Sequence, residues 1–572
     1  MNAVRLKRAV HDHPRRTPVA HVITRPCCND ASCVTVCPVN CIHPTPGTPD
    51  FARAEMLHID PVACIDCGAC VDECPVDAIV PDDLLPPDSA FPEMNADYFR
   101  GRDIVRSWTP PRPAHASGPG ALRVAVIGAG PAAFYTSGEL LRHRGVTVDM
   151  FDRLPTPYGL VRAGVAPDHA ATKGVERTFS ATASREAFRY FLNVEVGVDL
   201  TLDELRARYH AVIVATGAAA DRALSIRGED LPGSLAATDF VAWYNGHPDH
   251  ADDAMDLSGE SVVIVGNGNV ALDTARILVT DPDELARTDI ADHALRALRQ
   301  SQVRHVTILG RRGPAHAAYT NSEFQAFASL SGVDVIVDPA DLVLDPRTHR
   351  DEQARTLDPT TATKLRLARR YAARTPTGAA RSVVFRYLTS PTAILGGHDG
   401  VSGVRVSRMA YRADGTGRVL PTGPETTAPA SMVIRSIGYR ADPFPGLPFD
   451  TGATVIPNEE GRVTENGSPI VGVYVAGWIK RGARGGIGAN RRCGLQTAEA
   501  VLADWTQHRL PGPVISEDDI DAVITERRGH RIDAAGWAAI DEHERAAGRS
   551  DGHRRRKLVS IDEMVRVAAT AT

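Results

Sequence analysis

The stretch Cys64-Ile-Asp-Cys67-Gly-Ala-Cys70-Val-Asp-Glu-Cys74-Pro75 constrains this chain of 572 residues more than any other. It holds four of only 10 cysteines, and nine of the ten fall between positions 27 and 74. A disulfide framework fits poorly, because no secretory signal precedes the block and a chain this long does not depend on staples. Zinc fits poorly too, since its ligands usually come as two separated pairs. The spacing C-x2-C-x2-C-x3-C-P is that of thiolates around iron–sulfur clusters, the fourth cysteine serving a neighbouring cluster.

A second cluster requires a matching run upstream, and Cys27-Cys28-Asn-Asp30-Ala-Ser-Cys33-Val-Thr-Val-Cys37-Pro38 supplies an imperfect one. Counting back from Cys37 gives Cys33, Asp30 and Cys27, so a carboxylate stands at the second ligand position. Crossing the ligands as the motif demands assigns Cys37, Cys64, Cys67 and Cys70 to a complete four-iron cluster. Cys27, Cys33 and Cys74 are left for an incomplete one: either a three-iron cluster, or a labile four-iron cluster completed by Asp30 or water. Cys28 competes with Cys27, which spacing alone favours. Cys41 takes no ligand role and reads as a small buried apolar residue. Residues 18–90 resemble the seven-iron and eight-iron bacterial ferredoxins.

Length allows three or four domains. No apolar run approaches the eighteen residues of a membrane helix. The N-terminal segment 1–17 is basic without an apolar core, so it reads as a disordered tail rather than a signal peptide, with targeting or anionic docking as the lesser readings. The cytoplasm is the expected compartment for unexported thiolate clusters. The net charge of −6 hides an asymmetry. Residues 18–98 carry thirteen acids and two bases, Arg25 and Arg53, so the rest of the chain is basic. An acidic carrier tethered to a basic body suggests mutual docking; the plainer reading is a soluble acidic face. Nucleic-acid binding has little support, with negative net charge and 5% aromatics. Residues 91–121, rich in proline, glycine and small polar residues, read as a linker, of which Phe91–Phe99 is the part most able to pack.

From residue 122 the pattern changes. LRVAVIGAGPAAFYTSGELL reads as a buried parallel strand, a glycine turn and a helix. In Gly128-Ala-Gly130-Pro-Ala132-Ala133 the first glycine permits the tight turn and the second lets a pyrophosphate approach the backbone. Asp152, at the end of the next strand, is placed to accept a ribose hydroxyl. The pattern returns in Val265-Gly266-Asn267-Gly268-Asn269-Val270-Ala271. There the following strand ends in Arg311-Arg312, where the first fold has its acid. An arginine pair binds a 2′-phosphate through charge-assisted donors, whereas an acid repels one; a solvated loop tip is the alternative for the arginines. The first fold thus suits FAD and the second NADPH. The strand-to-turn joints Ala211–Gly217 and Val433–Gly438, with Val473–Trp478 and the glycine-rich 482–488, indicate that the second fold interrupts the first.

PTPYGLVRAGVAPDH (155–169), GNGNVALDTARIL, GRRGPAHAAYT (310–320), FRYLTSP (385–391) and YVAGWIKRG (474–482) together resemble the adrenodoxin reductase family of NADPH–ferredoxin reductases. The whole chain resembles the actinobacterial branch with a ferredoxin fused N-terminally. The expected class is an α+β ferredoxin domain followed by α/β: two Rossmann-like dinucleotide-binding domains, the NADP domain inserted in the FAD domain. The expected boundaries are 18–90 for the ferredoxin, 122–220 and 436–572 for the FAD domain with its C-terminal extension, and 221–435 for the NADPH domain. The resemblance implies FAD contacts at Ala132, Asp152, Leu160, Val196, Trp478, Gly485, Gly486 and Ile487. It implies NADP contacts at Asn267, Gly268, Asn269, Val270, Arg311, Arg312, Glu323 and Gly485. The family's Gly-Pro-Thr-Gly is here Gly482-Ala-Arg484-Gly485, which alters the turn ahead of Gly485. His169 is expected beside the flavin as the catalytic candidate, or as a packed, hydrogen-bonded histidine.

The expected activity is NADPH–ferredoxin oxidoreduction: hydride to FAD, then single electrons to the chain's own clusters and onward to a ferredoxin or P450-type acceptor. The rivals are an electron-input subunit of a glutamate-synthase-like complex and a non-catalytic iron–sulfur scaffold. A disulfide reductase is set aside, since only Cys493 follows Cys74.

Overall fold

The computed structural model describes residues 20–102, 104, 120–515 and 519–571. The basic tail 1–17 and most of the proline-rich linker, 103 and 105–119, lie outside the described residues.

The N-terminal module is built from very short elements. Strand His21–Ile23 pairs antiparallel with Ile79–Pro81, and Ile42–His43 pairs with His58–Ile59. Helices Ser32–Val36 and Ala69–Asp72 follow two of the cysteine-bearing turns. Ile23, Val34, Ile42, Leu57, Ile59 and Ile79 form the small core, with most of the thiols packed into it. The expected linker does not begin at residue 91. Helix Phe91–Phe99 starts with Pro92 in its first turn, where the missing N–H costs nothing, and packs on the module. The Asn95 amide donates to Ile23 O at 2.9 Å, and its oxygen accepts from Ile23 N at 3.2 Å and Ile59 N at 2.9 Å. One side chain thus ties the helix to two strands.

The body begins at strand Leu122–Ile127, whose apolar run Val124–Ile127 is buried on both faces. It lies between the parallel strands Val146–Asp152 and Ala211–Val214. Strand Ser468–Val475 joins the same sheet beside Ala211–Val214, after more than 250 intervening residues. Those residues build a second parallel sheet, in which Ser261–Val265 lies between Met432–Arg435 and His305–Leu309. An antiparallel ribbon of Thr389–Gly397, Gly400–Tyr411 and Val419–Pro429 accompanies it. The chain enters the inserted fold at Ala220–Asp221 and leaves at Tyr439–Arg440, and these two segments pair antiparallel.

Helix Ala489–Thr506 packs against Pro131–Leu140; a Cβ on Gly494 would fall 2.8 Å from Thr136 N, so only glycine permits this approach. The C-terminal helices are held by buried ions. Glu544, fully buried, accepts from Arg162 and Arg555 at 2.9 Å. Lys557 and Lys173 both reach Asp289, at 3.1 and 2.7 Å, which ties the C-terminal extension to both dinucleotide folds. Among the described residues no helix is long and apolar enough to cross a membrane.

Candidate functional site

A cavity of about 2700 Å³ runs between the two dinucleotide folds and under the N-terminal module. That is several times the space of a site for one small ligand. Every residue expected to contact either dinucleotide lines it, as does His169.

The two glycine turns are built alike. Gly128 has φ 101° and a Cβ there would lie 2.6 Å from Ala215 O; Gly266 has φ 109° and a Cβ would lie 2.1 Å from Ser436 O. Each first glycine therefore passes under a neighbouring strand end, in a conformation L side chains rarely adopt. The second glycines differ. Nothing lies within 4 Å of a Cβ on Gly130, and only Ala318 is that near to one on Gly268. Their open faces leave a cradle at each helix start, where backbone N–H groups and the helix dipole favour a phosphate. The backbone of this chain thus fits two dinucleotides.

The surrounding side chains sharpen the distinction between the two cradles. Asp152 accepts from Ala129 N at 2.7 Å and Leu154 N at 2.9 Å, and burial pushes its carboxyl above the ordinary range. Trp478 donates from Nε1 to Gly485 O at 3.2 Å, fixing the glycine-rich loop after the altered turn. Leu160 is 38% exposed towards the cavity, whereas Val196 is buried. In the second fold Asn267 and Asn269 accept from Ala318 N at 3.4 Å and Thr320 N at 2.8 Å, holding that loop over the helix start that carries Val270. Arg311 and Arg312 are exposed on the cavity rim, and neither guanidinium meets a carboxylate among the described residues. Two unpaired cations beside a phosphate cradle suit a further phosphate.

His169 sits in a dense ionic cluster. Its Nε2 is 2.6 Å from Arg276 and 3.3 Å from Asp273, with Glu323 at 3.6 Å. Burial would raise the Asp168 carboxyl, but the adjoining Arg276 overcomes it and holds the group below its ordinary value. His169 thus lies on the cavity wall in a packed, hydrogen-bonded setting.

The thiols separate into two sets. Cys37, Cys64, Cys67 and Cys70 surround one small cavity, together with Cys41. Cys27, Cys33 and Cys74 lie near one another and near Asp30. Cys27 packs into the module's core with the other thiols, while Cys28 is buried in the core of the body. All ten cysteines are unbonded. Burial pushes the Cys27 thiol up to about 11 and Cys70 up to about 12. Buried thiols of this kind ionise when a metal supplies the balancing charge, so the donor sets fit metal clusters. Cys41 is buried with Sγ 3.4 Å from that of Cys37, and this hydrogen bond brings Cys37 down to about 6. Sequence spacing had given Cys41 no such contact.

Unlegible from the motifs was the seating of the module. Gly488 N donates to Cys28 O at 2.8 Å, and a Cβ on Gly488 would fall 2.2 Å from that oxygen. Arg491 donates to Asp30 O at 2.8 Å and Ser32 Oγ at 2.7 Å. Arg177 pairs with Asp77 at 3.1 Å, Lys364 with Glu55 at 3.3 Å, and Arg366 with Asp97 at 3.1 Å. In each pair the acid is the module's and the base the body's, as the charge asymmetry anticipates. Arg25, Cys27, Cys28 and Glu55 consequently form the cavity's third wall.

Two dinucleotide cradles on one cavity, closed by a thiol-rich module, define a pyridine-nucleotide-dependent flavoprotein oxidoreductase with its own iron–sulfur carrier. Comparison with known proteins narrows this. Residues 122–336 match the family model for pyridine nucleotide-disulphide oxidoreductases, and residues 6–78 match the 4Fe-4S dicluster domain. A probable ferredoxin/ferredoxin–NADP reductase of Mycobacterium tuberculosis is 47% identical over 96% of this chain and 95% of its own. Human mitochondrial NADPH:adrenodoxin oxidoreductase is 40% identical over 78% of this chain and 91% of its own. The structure of Mycobacterium tuberculosis FprA in complex with NADPH covers 78% of this chain and 100% of its own, at 44% identity and a TM-score of 0.73. The chain belongs to the ferredoxin–NADP reductase family, with a ferredoxin module fused ahead of the reductase.

Proposed function

We propose that this chain oxidises NADPH at an FAD held in the first cradle and delivers the electrons through its own ferredoxin module. The observation that carries the proposal is the meeting of both cradles and the Cys27–Cys28 turn on one cavity. FAD, when bound, supplies the exchange between a two-electron hydride and single electrons. The residues orient rather than react. Gly128 and Gly130 admit the FAD pyrophosphate, Ala132 opens the helix beneath it, and Asp152 accepts a ribose hydroxyl. Asn269 and Val270 begin the helix that receives the NADPH pyrophosphate, and Arg311 with Arg312 meets its 2′-phosphate. Leu160, Val196, Trp478 and the loop Gly485–Ile487 wall the flavin, with His169 and Glu323 between the two nucleotides.

Cys37, Cys64, Cys67 and Cys70 would hold a four-iron cluster, and Cys27, Cys33 and Cys74 a second cluster against the cavity. We read the second as three-iron. The Asp30 carboxylate is occupied by Ser32 N at 3.2 Å, by the Ser32 hydroxyl and by Arg491 at 3.3 Å, which leaves it poorly placed to complete a cube. The four-thiol set faces outward, with Cys67, Ile65 and Val62 exposed, which supports delivery there to a free ferredoxin or P450-type protein. Ten unbonded cysteines suit the cytoplasm.

Anaerobic titration with NADPH, followed by visible absorbance and paramagnetic resonance, tests the whole reading. Bleaching of flavin and clusters together is expected. An NADPH-inert flavin, or a preparation without iron, overturns it. Seven irons per chain are expected, rising to eight in Asp30→Cys; eight in the unaltered chain would overturn the three-iron assignment.

A further inference from the structure

Arg25 belongs to the ferredoxin module, yet its guanidinium lies at the junction of the two dinucleotide folds. Nε stands 3.2 and 3.0 Å from the two carboxylate oxygens of Glu323, and Nη2 stands 2.9 Å from one of them. Nη2 also meets His169 and comes within 4.0 Å of Asp168. These partners come from separate parts of the body. Glu323 is on helix Asn321–Ala326 of the inserted fold, while Asp168 and His169 are on a loop of the first fold. Arg102 of the module also meets a body acid, Asp358, at 3.4 Å, but that contact is at the surface, whereas the acid that Arg25 meets is on the cavity wall.

The charge balance shows what Arg25 contributes. Asp168, Asp273 and Glu323 are three carboxylates facing one another around His169. The body supplies one guanidinium to them, Arg276, which is 2.8 Å from Asp273 and 3.5 Å from Glu323 and also pairs with Asp168. Arg25 is the second cation. Without it Glu323, only 8% exposed, keeps one guanidinium, Arg276 at 3.5 Å, and the His169 ring at 3.6 Å. A buried carboxylate that loses its cation is strongly disfavoured, and turning into the cavity is its nearest relief.

We propose that Arg25 is a positioning residue for the nucleotide site, lent to the reductase by its fused carrier, so that seating of the carrier and binding of NADP(H) favour each other. The inference rests on the proposed role of Glu323 beside the nucleotide. With Arg25 in place Glu323 is held and neutralised; without it an extra negative charge faces a ligand that is itself polyanionic. Linkage is reciprocal, so NADP+ tightens the carrier's seat by the factor by which the carrier tightens NADP+.

The test uses the full-length holoenzyme, Arg25→Gln and Arg25→Lys, with Arg177→Ala breaking a module–body pair away from the cavity. NADP+ affinity is read from the flavin absorbance change, and NADPH–ferricyanide kinetics are split into kcat and KM. Arg25→Gln should weaken NADP+ by about five- to a hundredfold, the usual range of such couplings, with kcat changing far less than KM. Arg25→Lys should recover part of the loss and Arg177→Ala should show none. In a Glu323→Gln background the Arg25→Gln effect should largely vanish, because the two act as a pair. Unchanged NADP+ affinity in Arg25→Gln, or an equal loss in Arg177→Ala, overturns the proposal. Failure of NADPH to reduce the flavin of the unaltered enzyme would instead sink the functional reading on which it rests.

Discussion

The carrier module and the reductase body solve the folding problem in opposite ways. In the body, the strands Leu122–Ile127, Val146–Asp152 and Ala211–Val214 run parallel for four to seven residues, and apolar runs such as Val124–Ile127 are wholly buried. In the module the strands have two or three residues and the cysteine-bearing helices five and four. Elements that short contribute little cooperative hydrogen bonding. The module rests instead on a small core, the Asn95 ties and its seat on the body, to which metal held by its thiols would add. The lesson is that one chain joins a fold specified by periodicity to a fold specified by ligand spacing.

Removing iron should break the two regions apart most dramatically. Structural metal sites contribute on the order of 10 kcal/mol to small domains, more than a module of this size has in reserve. Anaerobic chelation should therefore strip hydrogen-exchange protection from residues 20–102 while strands Leu122–Ile127 and Ser261–Val265 stay protected. A chain beginning at residue 120 should still bind FAD and reduce ferricyanide, although with weaker affinity for NADPH for want of Arg25. Loss of FAD on chelation would show that the body is not self-sufficient.

Neutralising Arg311 and Arg312 acts on the body alone. Charge-assisted hydrogen bonds are worth about 1.5–3 kcal/mol each, so NADPH affinity should fall about ten- to a hundredfold per arginine. NADH use should change little, and saturated kcat should survive. A uniform loss for both nucleotides in steady-state assays would make the pair structural.

At the seam the effect should be smaller and selective. Gly488→Ala places a methyl 2.2 Å from Cys28 O, so the module must shift outward. Cytochrome c reduction should drop several-fold while ferricyanide reduction holds. Equal losses in the two assays would mean that the module is not the exit.

Acid should expose the weakest difference. Burial foremost, then the Arg102 guanidinium, lowers His58 from 6.5 to about 3, with its ring stacked 4.6 Å from Tyr98. Below pH 6.5 the unfolded chain takes up a proton that the folded module refuses until about pH 3. Stability is therefore lost as pH falls through that window, at up to about 1.4 kcal/mol per unit. His58→Gln should flatten the module's pH dependence in thermal melts. His247 in the body, lowered mainly by burial to about 4, adds a shallower slope of the same sign.

How much of this was legible in the sequence follows the same division. Thiol spacing proposes two ligand sets from local pattern alone, and the structure gathers Cys37, Cys64, Cys67 and Cys70 around one small cavity with Cys41 added. The glycine turns and the interrupted sheet were legible because phosphate cradles and buried strands leave short-range signatures. Helix Phe91–Phe99 was obscured by the prolines that precede it, Pro86 and Pro87, although Pro92 is itself a helix-start signal. Arg25 was visible only as one of two bases in an acidic stretch. Its partner Glu323 lies 298 positions away, and no periodicity encodes such a contact. Glu544 and Lys557 carry no motif that would announce burial, yet both are buried, since each finds counter-ions on distant segments.

The antiparallel pairing of Ala220–Asp221 with Tyr439–Arg440 makes the inserted fold topologically a single closed loop of the first. Its two ends are neighbours, so joining Asp221 directly to Tyr439 through a tight turn would excise more than 200 residues with little disturbance to the sheet that carries Gly128. Conversely, the excised piece has adjacent termini and its own core, the conditions under which a domain can be moved between hosts. The proposed 2′-phosphate contacts, Arg311 and Arg312, would travel with that piece, and Lys173 and Lys557 of the host would need a new partner in place of Asp289.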